Sequence, residues 1–266
     1  MIIIGEKING TLSAVREAII ARDEGFLRSL ASSQAEAGAD YIDVNVAVGT
    51  GEDEAETLEW ALSVVRSATA KPLALDSADP RVLARGLELC CEDRPFINSV
   101  NGEEEQLEGV LPLVAKYTCP VVALAMDESG IPETAQARLE VCRRIMERAS
   151  ALGISAADVY FDPLVLPISA DCEQGRVTLD TLGMIKSDMP EASTVIGLSN
   201  ISFGLPMRGV INRAMLAISA YSGLDAAVID PTDRDLMAAA LAGEAIASRD
   251  RYCRSYMKAY RSGLMG

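Results

Sequence analysis

Short aliphatic and β-branched runs recur along the chain, each followed by a longer stretch with apolar positions every three to four residues. The runs fall at residues 2–4, 41–44, 72–75, 96–97, 121–125, 159–161, 194–197 and 226–229. They are brief and lack polar alternation, which predicts strands buried on both faces, as in a parallel sheet. The intervening stretches predict helices over residues 23–37, 53–68, 80–90, from the fourth strand to 117, 134–152, 178–189, 210–221 and 236–247. A terminal helix is expected over 252–261. Gly38 stands where a helix stop is expected, and Pro80 suits a first helical turn. Gly49-Thr50-Gly51 reads as a loop after the second strand.

Eight strand–helix units in sequence, with no linker or low-complexity tract between them, predict a closed (β/α)8 TIM barrel. One domain covering residues 1–266 is expected. The rival is a doubly wound open sheet, but no Gly-x-Gly-x-x-Gly or Walker-type loop supports a nucleotide fold.

Nearly every predicted strand ends in an acid or an amide. In barrel form one rim would collect Glu6, Asn9, Asp43, Asn45, Asp76, Asn98, Asn101, Asp127, Asp162, Asn200 and Asp230. A single Asp in such a place is most often an N-cap or turn residue. A whole ring of them, with only Lys7 and Arg208 as nearby cations, calls for another reason. Carboxylates take paired N–H groups in bidentate fashion, and amides serve mixed donor–acceptor edges. The set suits a neutral or weakly cationic heterocycle such as a pterin. A Mg²⁺ site is the competing use of the same oxygens, but the rim lacks the cations a phosphate would need. Gly197 interrupts the seventh strand and suggests a close approach by a ligand or a neighbouring strand. Ser199 and Asn200 follow it.

Composition narrows the chemistry. The 39 acidic and 24 basic residues give a net charge of -15, which disfavours nucleic acid and anionic membranes as partners. No apolar run approaches the roughly 18 residues of a membrane span, and the chain enters its first strand at Ile2, so a cytoplasmic location is expected. The six cysteines form no Cys-x-x-Cys pair and are expected to be reduced, buried and structural. There is no histidine, which removes His-based triads, zinc sites and general bases. No bound metal is expected.

The chain resembles the methyltetrahydrofolate:corrinoid-protein methyltransferases, within the pterin-binding barrels that include dihydropteroate synthase. The matching segments are Ile4-Gly-Glu-Lys-Ile-Asn9, Asp43-Val-Asn45, Leu75-Asp-Ser77, Ile97-Asn-Ser-Val-Asn101, Asp162-Pro163 and Gly197-Leu-Ser-Asn-Ile-Ser-Phe-Gly-Leu-Pro206, with Asn212-Arg213. The resemblance implies that Asp76, Asn98 and Asp162 hold the pterin ring, with Glu6, Asn9, Asp43, Gly197 and Ser199 lining its site. It implies that Asn200 meets N5, the atom bearing the transferred methyl group. The substrate would be tetrahydrofolate or 5-methyltetrahydrofolate. The cobalamin would arrive on a separate corrinoid protein, and the enzyme would be a homodimer. The proton for N5 would come from solvent through Asp43, Asp76 or Asn98. The alternatives are a dihydropteroate synthase-like condensation and a non-catalytic folate-binding subunit. The synthase fits less well, because its family ends strand eight in basic residues and this chain has Asp230-Pro231.

Overall fold

The computed structural model describes residues 1–48 and 53–265, so Gly49-Thr50-Gly51 lies outside the described residues. The strands are β1 (Ile2–Asn9), β2 (Tyr41–Asn45), β3 (Leu73–Asp76), β4 (Phe96–Val100), β5 (Val121–Leu124), β6 (Val159–Asp162), β7 (Ser193–Gly197) and β8 (Ala226–Ile229). All neighbouring pairs are parallel, and β1 pairs with both β2 and β8, which closes the barrel. The helices are α1 (Ser13–Ile20), α2 (Glu24–Glu36), α3 (Glu54–Ala68), α4 (Pro80–Cys90), α5 (Glu104–Tyr117), α6 (Ala135–Ala151), α7 (Gln174–Asp188), α8 (Arg208–Tyr221), α9 (Arg234–Ile246) and α10 (Arg254–Arg261). The eight-stranded TIM barrel expected from the apolar pattern is the fold, and the open-sheet rival is excluded.

Several helices start on side-chain caps. Asp23 accepts from the Phe26 N–H, Asp53 from Ala55 and Glu56, Thr134 from Ala137, and Asp233 from Leu236. Each satisfies amides that have no partner inside the helix. Gly38 follows α2 with φ +101°, a conformation that favours glycine.

Three departures from the sequence reading concern elements. Helix α1 has no sequence signal: its N-cap is Leu12, with no capping side chain, and it buries only Val15, Ala18 and Ile19. Helix α7 starts four residues before the predicted 178. Strand β1 runs to Asn9 instead of ending at residue 4, because a bulge between Gly5 and Ile8 lets pairing resume on the far side. The buried Gln34 sustains that bulge by accepting the Lys7 N–H at 2.9 Å. A Cβ on Gly5 would meet the same Gln34 oxygen at 2.5 Å, so a larger residue there would push Gln34 off the Lys7 amide.

The barrel interior is filled by a cluster to which every strand contributes, among others Ile4, Tyr41, Ala74, Phe96, Val122, Tyr160, Val195 and Ala226. Phe96 packs edge-on against both Tyr41 and Tyr160, with ring centroids 4.9 and 4.7 Å apart. The remaining apolar residues fill the space between sheet and helices. Cys119 and Cys142 belong to this layer, but Cys172 and Cys253 are exposed. The expectation of buried cysteines therefore fails at those two: Cys172 lies in the turn before α7 and Cys253 in a short 3₁₀ turn before α10. No helix among the described residues is long and apolar enough to cross a membrane.

Helices α8 and α9 approach closely because α9 carries Gly243. A Cβ there would lie 2.9 Å from the Ala220 Cβ and 3.1 Å from the Ala217 Cα, neither of which can swing away. Gly243→Ala should therefore destabilise the protein by about 1–3 kcal/mol in denaturant unfolding. Gly183→Ala is the control. Its Cβ meets nothing within 4 Å inside α7, so it should be neutral or stabilising, by up to about 1 kcal/mol.

Candidate active site

Side chains alternate across a strand, so the residue two positions after each interior plug points to the same side. Ile4 is followed by Glu6, Tyr41 by Asp43, Ala74 by Asp76, Phe96 by Asn98, Tyr160 by Asp162, and Val195 by Gly197. These positions open a cavity of about 500 Å³ at the C-terminal mouth of the barrel, with Val122 and Val228 among its lining residues. Glu6, Asn9, Asp43, Asp76, Asn98, Asp162, Gly197, Ser199 and Asn200 all line it, together with Lys7 and Asp230. A larger cavity, about 780 Å³, lies between α2, α9 and α10 and shares none of these residues.

The β1 bulge explains how two consecutive residues, Glu6 and Lys7, both face the cavity. Lys7 is bound to Asp230, Nζ to Oδ2 at 2.8 Å. Although partial burial raises the Asp230 carboxyl, the bonds from Lys7 and Thr232 hold it below its usual range. The second rim cation, Arg208, is also engaged, donating to the Ser202 hydroxyl and the Ser199 carbonyl. Neither cation is left unpaired at the mouth.

The other carboxyls move the opposite way. Burial, reinforced by Asp230, raises Glu6 to about 7, and Ser199 Oγ approaches it at 3.5 Å. Burial raises Asp43 well above the carboxylate range, and its neighbours Asp76 and Glu6 raise it further. Asn98 Nδ2 donates to Asp43 Oδ1 at 3.1 Å, which favours the ionised form but does not offset burial. Burial raises Asp76 to about 6 against a hydrogen bond from Asn45. It raises Asp162 to about 6 against the N–H groups of Leu164 and Gly197 and the charge of Arg138. Four carboxyl groups thus share a poorly hydrated pocket, an arrangement that costs stability and is characteristic of functional sites.

Three rim residues expected from the sequence do not line the cavity. Asn45 turns its oxygen to the Ala47 N–H and bonds Asp76 from the side. Asn101 caps its own loop through the Glu103 N–H. Asp127 closes a turn with Ser129 and pairs with Arg144. Asn200 itself sits beyond the strand, in a 3₁₀ turn over Leu198–Ser202, and is solvent-exposed. Among the described residues nothing bonds its side-chain amide. A Cβ on Gly197 would meet no atom of the chain within 4 Å, so no neighbouring strand explains that glycine. The space beside it belongs to the cavity. Sequence reasoning missed Lys7 as the partner of Asp230, and also Thr11 and Leu12 in the lining. Among the described residues no group of three or more Asp, Glu or Cys side chains is arranged to hold a metal ion.

A parallel eight-stranded barrel with acids and amides gathered in its C-terminal mouth defines the class: a TIM-barrel protein built to bind a polar heterocycle. The chain belongs to the pterin binding enzyme family, which it matches over residues 5–247. It is 40% identical to the methylcorrinoid:tetrahydrofolate methyltransferase of Eubacterium limosum, over 100% of this chain and 98% of that protein. It is 33% identical to methionine synthase of Mycobacterium tuberculosis over 86% of this chain, but only 20% of that much longer protein. Among solved structures, a dihydropteroate synthase from Coxiella burnetii in complex with pteroic acid superposes with a TM-score of 0.69. It covers 93% of this chain and 92% of its own at 15% identity, so that likeness concerns the fold alone.

The raised carboxyls make stability depend on pH. They hold protons to higher pH in the folded chain than in the unfolded one, so the folded state binds more protons between about pH 4 and 7. Stability must fall as pH rises through that window. Carboxyls held low, such as Asp127 and Asp230, titrate below it. Denaturant unfolding of the ligand-free protein should accordingly show greater stability at pH 5 than at pH 8. Asp76→Asn should recover on the order of 3 kcal/mol at pH 8, the linkage expected of a shift from 3.8 to about 6. A flat stability profile from pH 5 to 8 would show that these carboxyls are not desolvated.

Proposed function

We propose that this chain moves a methyl group between N5 of a tetrahydrofolate and the cobalt of a separate corrinoid protein. The observation that carries the reading is the cavity itself, where raised carboxyls and three amides converge in a chain with full-length similarity to a methyltransferase of that kind. A pterin presents an adjacent amino and ring N–H pair, and an ionised Asp binds such a pair with both oxygens. Asp76 and Asp162 are suited to that task, with Asn98 held by Asp43 to meet a carbonyl or ring nitrogen. Gly197 leaves room for the flat ring.

The partner's corrinoid supplies or receives the methyl group as a cation equivalent, its bonding electron pair remaining on cobalt. The remaining steps fall to this chain. N5 of tetrahydrofolate carries a hydrogen, so methylation there releases one proton, and the reverse transfer needs one. Glu6 is the side chain suited to hold it, since its carboxyl titrates near neutrality and lies beside Ser199, next to Asn200. The relay through Asp43, Asp76 or Asn98 expected from the sequence is the other route, and Glu6 is favoured over it because it adjoins the turn that carries Asn200. Asn200 cannot titrate. Its unengaged amide can stabilise charge at N5 as donor or acceptor, according to the protonation of the ring. The relative's name places the methylcorrinoid first, and we propose the same direction here.

The pteroate-forming alternative is disfavoured by the end of β8. A departing pyrophosphate needs free cations, and Lys7 is already bound to Asp230. Exposed Phe203 and Leu12 flank Asn200 and the mouth, and they offer an apolar footing for the corrinoid protein. We also propose that the whole chain works as one pterin-binding unit, in the cytoplasm, and as a homodimer. Met207, Val210, Ala214, Ile218 and Tyr221 make an exposed, uncharged stripe along α8, at helical spacing and opposite its buried face. A second copy of this acidic chain would meet no like charge there.

Single-turnover transfer at saturating folate tests the chemistry. Asn200→Ala should slow it by about 10²–10³, as expected for loss of a fixed donor. Asp162→Ala should weaken folate binding by about 1.5–3 kcal/mol in calorimetry with chelator present. Gly197→Val should fold normally and lose binding. An unchanged rate in Asn200→Ala would leave that residue a positioning role only. The assembly is tested by sedimentation: Ile218→Glu with Tyr221→Glu should convert a dimer to a folded monomer. A wild-type protein that sediments as a monomer at micromolar concentration would overturn the dimer.

A further inference from the structure

Arg138, on α6, has none of its surface exposed to solvent, yet no carboxylate among the described residues lies within ion-pair distance of it. Its guanidinium donates instead to four neutral oxygens. Nε reaches the Pro132 carbonyl at 2.9 Å, and Nη1 reaches the carbonyls of Pro163 and Leu164, both at 2.8 Å. Nη2 reaches the Gln174 side chain at 2.9 Å, and Gln174 is held in turn by Asp171. One cation therefore ties the loop after β5, the loop after β6 and the start of α7 together. A buried guanidinium satisfied only by dipoles is an expensive anchor for loops that a neutral amide could also bridge. The charge itself calls for a reason.

That reason lies one residue away from the clamp. Pro163 and Leu164 directly follow Asp162, and Leu164 returns its N–H to Asp162 Oδ1 at 2.7 Å. Leu164 adopts a φ of +65°, a left-handed conformation unusual for a branched residue, and the bonds from Arg138 to its carbonyl and to that of Pro163 hold it there. The clamp thus sets the loop that holds the carboxylate. The titratable groups around Asp162 are Arg138 and Cys142 on α6, Tyr160 below it on β6, and Glu6, Asp43, Asp76 and the Lys7–Asp230 pair across the cavity. Burial keeps the Cys142 thiol and the Tyr160 hydroxyl protonated. Of these groups, Arg138 is the one whose charge pulls the Asp162 carboxyl down.

We propose that Arg138 is a positioning residue: a buried cation that clamps the loops around Asp162 and keeps that carboxyl ionised for the heterocycle. The inference rests on the pterin-site reading of the same cavity, and the test separates the two.

Tetrahydrofolate binding is measured by calorimetry from pH 5.5 to 9 in the wild type, Arg138→Gln, Arg138→Lys, Asp162→Asn and the Arg138→Gln/Asp162→Asn double variant. Arg138→Gln should move the pH midpoint of binding up by about one unit, so that its pH-dependent loss of affinity is severalfold at pH 5.5, about twofold at pH 7 and absent at pH 9, where only the loss shared with Arg138→Lys remains. Arg138→Lys keeps the charge but not the fork, so it should lose affinity without moving the midpoint. In the Asp162→Asn background the Gln substitution should move no pH midpoint. A loss equal at all pH values, or a midpoint shift that survives Asp162→Asn, would overturn the proposal. If Arg138→Gln does not fold, Arg138→Lys decides alone, and a moved midpoint is the adverse result. Carbon-13 NMR of the Asp162 carboxyl reads the same shift without folate. A wild type that binds no folate sinks the pterin reading, whereas an Asp162 titration unmoved by Arg138→Gln sinks this one.

Discussion

Eight strands close around one interior packing cluster, and Phe96 sits in it with Tyr41 and Tyr160 packed against its ring. That packing leaves each strand one acceptable register. A slip by one residue would turn a plug outward and carry the polar residue two places on to the wrong face. The positions of Glu6, Asp43, Asp76, Asn98, Asp162 and Gly197 follow from this constraint. Asp43, Asp76, Asn98 and Asp162 meet because the residues beneath them fill one space. The site is in this sense the next layer of the barrel, with acids and amides where aliphatic side chains would otherwise continue the plug.

Continuing the plug with carboxyls has a cost that the rest of the molecule absorbs. Glu6, Asp43, Asp76 and Asp162 are all held above their ordinary ranges, and burial is the largest cause each time. No counter-ion among the described residues pairs directly with any of them. The two cations near the mouth are engaged elsewhere, Lys7 on Asp230 and Arg208 on backbone and hydroxyl oxygens of the β7 turn. The pocket is therefore left short of hydrogen-bond donors, and a ligand rich in N–H groups supplies what the chain withholds. The same shortage makes a phosphate or pyrophosphate a poor guest.

Most of the architecture was legible in the residues, since buried parallel strands write themselves as short apolar runs with glycine, proline or capping residues between. The ring of strand-end acids was legible for the same reason, because period two ties them to the plugs. What was not legible depends on contacts distant in sequence. The bulge in β1 requires Gln34, which lies 27 residues away from Lys7 and reads as an ordinary helix residue. Without it Glu6 and Lys7 could not both face the cavity. Asn101 and Asp127 have the right residue type in the right place, yet each is consumed by its own turn, a local alternative open to any Asn or Asp. Helix α1 is silent because it lacks a cap and buries only three side chains. Arg138 sits in a run of arginines on α6, and nothing in the pattern distinguishes the buried one from exposed Arg143 and Arg144.

The shared barrel also separates fold from chemistry. A dihydropteroate synthase superposes over nearly the whole chain at 15% identity, so the scaffold does not decide between joining two carbon frameworks and moving a methyl group. The decision falls to a few side chains at the mouth. At the end of β8 an acid takes up the one lysine that could have met a leaving group. On β1 a carboxyl near neutrality adjoins the turn that carries Asn200. At β7 a glycine leaves open space on the cavity wall. Each feature is a local electrostatic choice made on a register that the interior packing had already set. Proteins of this fold can therefore differ in reaction while their barrels remain superposable.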